Sequence, residues 1–381
     1  MKKLISMLLC LVLILALAVP AMAETMPFGM LSMLNMTEDE CLNYVYMRTL
    51  TTGVLMLEEL ADSELIYEEE GTEDVEIDED VEYYAPEADE EWTEDEAETP
   101  SVVFYDSLDA MLMALNSGDI VAMDVYQSVA KYLCAQNDNL AMGWEFDLNN
   151  TDNEFANRLF STYLGNDFSF LMLEDNAQLR DTFNAAIADM KTDGTLDSLV
   201  ETYIGGVIAG DEPQTIELPR FDGAKTVKVA VTGSLPPMDY VAPNGTPAGF
   251  NTAVLAEIGN RTGMNIELVQ VDSVGRAMAL STGNVDVVFW TRTSKATEAL
   301  ADLDGEQRDE AFAALFGEMT DMEAEAIESY DMVGSREALY AYAASDMPEG
   351  TIATDPYYSD VIVDVILNVT AEGIVEDLSQ D

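Results

Sequence analysis

Met113-Ala114-Leu115-Asn116-Ser117-Gly118-Asp119-Ile120 returns later in the chain as Met278-Ala279-Leu280-Ser281-Thr282-Gly283-Asn284-Val285. An apolar helical pattern precedes each copy and an apolar run follows it, Ile120 to Val125 in one and Val285 to Trp290 in the other. The glycine falls where a helix needs a left-handed residue to stop. Two similar helix–Gly–strand units predict two α/β lobes built on one plan. Lobes of that kind leave a cleft, where small ligands bind. The competing reading is coincidence, because helix–Gly–strand is a common unit.

At 381 residues, two or three domains are expected. The charge is −58, with 16 basic against 74 acidic residues and no histidine. Nucleic acid and anionic membrane surfaces need Lys and Arg, so neither is an expected partner. Without histidine there is no Ser-His-Asp or Cys-His catalysis, and a zinc site is not expected. No cofactor is implied. Lys2 and Lys3, the apolar run Leu4 to Val19 and Ala21-Met22-Ala23 read as a secretory signal cut after Ala23. That places the mature chain in the periplasm or outside the cell. Cys41 and Cys134 remain, a pair that leaves a disulfide open.

Residues 24–66 read as an N-terminal helical segment, with Thr37 to Glu40 as a capping box before a helix from Cys41 to Leu60. Residues 67–100 are an acidic linker with few large apolar groups, expected to be disordered. Residues 101–210 form one α/β domain. It has a strand at Ser101 to Tyr105, a helix capped by Ser107, the first repeat strand, and a helix from Tyr126 to Cys134. A strand at Phe168 to Leu173 follows. Asn176 then caps a helix striped by Leu179, Phe183, Ile187 and Met190. Residues 211–224 connect this to a second α/β domain, 225–381. That domain opens on the strand Val227 to Val231 and holds a helix opened by Asn251 and ended by Gly263. The second repeat, a helical insertion at 297–346, a turn at Thr354 to Tyr358 and a strand at Val361 to Val369 complete it.

Several motifs resemble those of the extracytoplasmic solute-binding proteins of polar amino-acid ABC transporters. Val227 to Val231, Leu235-Pro236-Pro237-Met238, Gly249-Phe250-Asn251 and Leu280 to Asp286 are similar to that family's first-lobe motifs. Tyr105 to Leu133 is similar to its second lobe, Leu179 to Tyr203 to its closing helices, and Thr354 to Tyr357 weakly to its Phe-Ser-x-Pro-Tyr. The resemblance implies an α/β, two-lobe, type II periplasmic-binding-protein-like fold with its lobes in circularly permuted order. The family's own amino and carboxyl termini lie near each other in such a fold, so the connector joins them at little entropic cost. A domain-swapped dimer or a decayed tandem array would also produce this order.

The family's carboxylate-binding Arg has no counterpart at the matching place, where Ala296 or Glu298 stands. Arg292 lies nearby, and a guanidinium fits a carboxylate in shape and charge. The family's amine-binding Asp aligns with Tyr126, and Asp124 stands two residues earlier. The stacking aromatic aligns with Leu235, with Tyr240 and Trp290 close in sequence. Asp239, Asn251, Thr291 and Thr293 add polar groups at the cleft edge. The expected activity is capture of a small polar solute, an amino acid or related molecule, for an ABC permease or membrane sensor, with no catalysis. The alternatives are a non-transport interaction protein and, on the same scaffold, an enzyme such as a dehydratase using Asp124 with Asp239 or Glu257.

Overall fold

The computed structural model describes residues 27–32, 41, 102–143, 165–272, 275–293, 307 and 347–368, with the side chains of Arg292 and Thr293 excepted. The leader, the acidic linker, the Cys41 to Leu60 helix beyond Cys41 and the 297–346 insertion beyond residue 307 lie outside the described residues. No described helix is long and apolar enough to cross a membrane.

Two sheets with helices against them organise the chain as two α/β lobes. The first contains β1 (Phe28–Leu31), β2 (Val102–Tyr105), β3 (Met123–Tyr126) and β4 (Leu140–Met142), with helices α1 (Leu108–Ser117) and α2 (Gln127–Gln136). Phe28–Leu31 corrects the sequence expectation of an N-terminal helical segment at 24–66 by opening it with a strand. It is a buried strand parallel to both β2 and β3. The first repeat strand also starts later than Ile120, and Tyr126 closes the strand rather than opening a helix.

The second lobe receives β5 (Asn166–Leu173), a 3-10 turn (Glu174–Asn176) and α3 (Ala177–Thr192). Next comes α4 (Thr195–Val200), which runs through a π turn (Glu201–Gly205) into Gly206–Ile208. The stripe Leu179, Phe183, Ile187 and Met190 is buried, as its three-and-four spacing requires. Asn176 makes no side-chain cap, because the 3-10 turn already leads the chain into the helix. The lobe continues with β6 (Thr226–Val231) and a small hairpin sheet of β7 (Ser234–Leu235), β8 (Asp239–Val241) and β9 (Pro247–Ala248). Then follow α5 (Phe250–Thr262), β10 (Asn265–Gln270), α6 (Arg276–Ser281), β11 (Val287–Thr293), β12 (Thr351–Ala353) and β13 (Tyr358–Asp360). Finally β14 (Ile362–Leu367) returns to the first lobe.

The strand orders are β2-β1-β3-β14-β4 and β10-β6-β11-β5-β12, with β13 also on β5. β14 runs antiparallel to β3 and β4, and β5 runs antiparallel to β11, β12 and β13. Each sheet therefore holds, between its third and last strands, one strand that arrives from the other half of the chain. The two arriving strands meet: Asp360, just before β14, pairs in register with Asn166, the first residue of β5.

The repeat carries through to packing. Gly118 and Gly283 both sit in the left-handed region, at φ 80° and 72°, with open space around them. Met113 and Met278 are 72% and 70% exposed, Ala114 and Ala279 both 8%, and Leu115 and Leu280 both 1%. One apolar cluster runs continuously from the first sheet through α3 and α5 into the second.

Candidate functional site

The end of β3 meets the end of β11. Tyr126 is buried, and its hydroxyl donates to Thr291 Oγ1 at 2.9 Å, across 165 positions of sequence. That is also the spacing between Met113 and Met278, so Tyr126 and Thr291 are equivalent positions of the two repeat units facing each other. The Tyr126 ring lies 4.7 Å from Phe168 of β5, tilted by 56°.

Around this contact is an inner pocket. From the first lobe it takes Tyr126; the second lobe lines it with Thr232, Leu235, Asp239 and Asn251, and with Phe289, Trp290 and Thr291 from β11. The free space left inside is only about 20 Å³, enough for about one water molecule. The Asp239 carboxylate is buried and accepts from the Thr232 N–H, the Thr232 hydroxyl and the Gly233 N–H at 3.0, 3.1 and 2.9 Å. It thereby fixes the turn between β6 and β7. Burial pushes its pKa up, against those hydrogen bonds and the nearby Arg276 charge. Asn251 opens α5 and accepts from the Tyr357 hydroxyl at 2.9 Å.

Arg276, absent from the sequence reading, is the cation of this pocket. It is 3% exposed, donates from Nη1 to the Phe289 carbonyl at 3.0 Å, and places its guanidinium carbon 5.7 Å from the Trp290 ring centre. Desolvation lowers its pKa, while the nearby Asp239 carboxylate opposes that shift. Its signal was available. It precedes buried Ala279 and Leu280 by three and four residues, so it shares their buried helix face. By the repeat spacing it also matches fully buried Met111 of the first unit.

The remaining predicted positions lie elsewhere. Asp124 is buried within β3 opposite Asp364 of β14, away from the pocket lining. Tyr240 stands half-buried in β8. Burial, with Tyr132 of the first lobe a smaller cause, pushes its pKa up to about 12. The backbones of Arg292 and Thr293 continue β11 opposite Asp167 and Asn166, and their side chains lie outside the described residues.

A second hollow, open and about 410 Å³, adjoins the pocket at Thr232. Asp106, just past β2 of the first lobe, faces Ser234, Gln270, Val271 and Asp272 of the second. These residues follow the carboxyl ends of parallel strands, where open α/β sheets take their ligands. Among the described residues, no cluster of three or more acidic or thiol groups is arranged to hold a metal.

Residues 227–300 match the family model of bacterial extracellular solute-binding proteins, family 3. No curated protein sequence matches the chain. Similar solved structures include the binding protein AgaA of A. tumefaciens R10 in complex with agropinic acid, at 12% identity and TM-score 0.33 over 70% of this chain and 55% of that one. The binding protein DppA of Helicobacter pylori with the peptide STSA aligns at 11% identity and TM-score 0.31, over 70% and 52%. A phosphate-binding protein of Streptococcus pneumoniae TIGR4 aligns at 11% and 0.28, over 70% and 75%. The chain spans about half the length of the first two. The strand order, not these scores, defines the architecture.

Proposed function

We propose that this protein is an extracytoplasmic solute-binding protein. It captures a small polar solute between its lobes and presents it to an ABC permease. The observation that carries this reading is the hollow at the strand ends, walled by both lobes and opening onto a deeper pocket at Thr232. The family match over residues 227–300 covers β6 through β11, the elements that build most of both cavities. A leader cut after Ala23 would deliver the chain to the compartment where such proteins act.

The finer reading is a circular permutation closed within one chain. It is supported by the two matching strand orders, each completed by a strand from the other half. The connector supports it too. Ile216 packs with Ala253 and Ala256 of α5, and the Phe221 N–H donates to Asn265 Oδ1 at 2.6 Å. Closure would then bias an open–closed equilibrium through contacts made only when shut.

The hollow presents Asp106 and Asp272 with the hydroxyls of Thr232 and Ser234 and the Gln270 amide, and no described Lys or Arg. That lining suits a solute carrying an ammonium group, such as an amino acid or related amine, and the charge of −58 steers cations toward it. Titration calorimetry of the mature protein against basic amino acids, diamines and short peptides tests this. Heat is expected with at least one amine-bearing solute, and no heat with any of them would sink the proposal. A second reading, a sensor or interaction protein on the same scaffold, is favoured by the nearly filled inner pocket.

A further inference from the structure

The inner pocket is filled by the protein itself. Of its described lining side chains, only Tyr126 comes from the first lobe, and its phenol ring takes the space between Phe168 and Thr291. Equivalent repeat positions that face each other across two similar lobes would be expected to match in size. Here one is a tyrosine and the other a threonine, a knob facing a hole. The ring is satisfied as a bound ligand would be, with a tilted aromatic ring against it, its hydroxyl donating to a hydroxyl, and a buried guanidinium nearby.

We propose that Tyr126 acts as an internal ligand: its phenol ring occupies the second lobe's pocket and holds the two lobes shut when no solute is present. A solute that reaches the pocket from the hollow then competes with this ring rather than filling an empty space. The idea stands whichever solute the protein carries. Beside the ring, the Gln127 N–H donates to the Val361 carbonyl at 2.8 Å, continuing the β3–β14 ladder, and the Ser128 N–H donates to Asp360 at 3.2 Å, so the chain crossing between the lobes is anchored next to Tyr126. Burial raises the Tyr126 pKa, so the ring stays a neutral phenol and a hydrogen-bond donor at ordinary pH.

The test is Tyr126→Ala, with phenol as the probe. The variant's melting temperature should fall by roughly 10 °C, as for loss of a buried aromatic. The radius of gyration from small-angle X-ray scattering should rise above the wild type's as the lobes part. Millimolar phenol should restore several degrees and shrink the variant again, while leaving the wild type unchanged. Phe183→Ala, which empties a core site within the second lobe, should lower the melting temperature and leave the radius of gyration as before. A folded Tyr126→Ala protein in which phenol changes neither quantity would overturn the proposal. So would one whose radius of gyration equals the wild type's. If that variant does not fold, nitration of the wild type by tetranitromethane, mapped by mass spectrometry, decides. Tyr126 should be spared while half-buried Tyr240 reacts, and equal rates would overturn the idea. Calorimetry on the wild type reports the transport reading separately.

Discussion

The two helix–Gly–strand units match in glycine conformation and in the burial of each shared apolar position, yet their strands end differently. The first unit ends in Tyr126, which leaves its own lobe and enters the other. The second has Thr291 at the matching place, two residues before its strand ends, which receives it, and places Arg276 where the first unit has Met111. The positions that pack α1 and α6 onto their sheets are alike, whereas those facing the partner lobe differ. The shared pattern makes the scaffold, and the chemistry lies in the departures from it. An apolar seat in one unit is a buried cation in the other.

Packing equivalence can be broken most directly at Leu115 and Leu280, each 1% exposed. Leu115→Ala and Leu280→Ala should each cost about 2–5 kcal/mol by chemical denaturation. A cost under about 1 kcal/mol for either would show that the units are alike in outline only. The crossovers offer the next contrast. Asn166 is neutral, whereas its partner Asp360 is a buried carboxylate whose pKa rises from 3.8 to about 6. Desolvation is the main cause, opposed by hydrogen bonds from Ser128 and Val361 and by the Lys131 charge. The folded protein therefore binds this proton more tightly than the unfolded chain does. The associated stability is fully present below about pH 4 and is lost as pH rises through about 6, on the order of 3 kcal/mol in all. Stability curves of the wild type and Asp360→Asn should diverge in the wild type's favour as pH falls across that window. Parallel curves would show that the carboxylate is no worse off inside than in water. The smallest effect belongs to the exposed methionines. Met113→Lys and Met278→Lys should each stay within about 0.5 kcal/mol of wild type. A larger loss at one would reveal a contact that its twin lacks.

The repeat, the α3 stripe and the alternation in Thr226–Val231 were legible because local periodicity decides them. The destinations of β5 and β14 were not. A strand's neighbours are chosen by the whole core, and both strands join the sheet of the opposite half. Phe28–Leu31 is only four residues long and buried throughout, so it shows no alternation to read. Tyr126 could be picked because it aligns with a family site position, and Trp290 and Thr291 because they open the segment that matches the family's ligand loop. Arg276 escaped because a lone arginine in a short helix reads as a solvated one. Extending the repeat by a few residues on either side would have paired it with Met111, and Tyr126 with Thr291.

The interleaving of the sheets constrains how the molecule comes into being. Among the described residues, the last strand of the first sheet, β4, joins that sheet only through β14, so the slot between β3 and β4 stays vacant until residue 367 has been synthesised. The amino-terminal half must wait, incomplete, for nearly the full length of the polypeptide. Contacts of such long sequence separation form slowly. A chain that can complete neither sheet early closes both at nearly the same moment, when its last strands arrive.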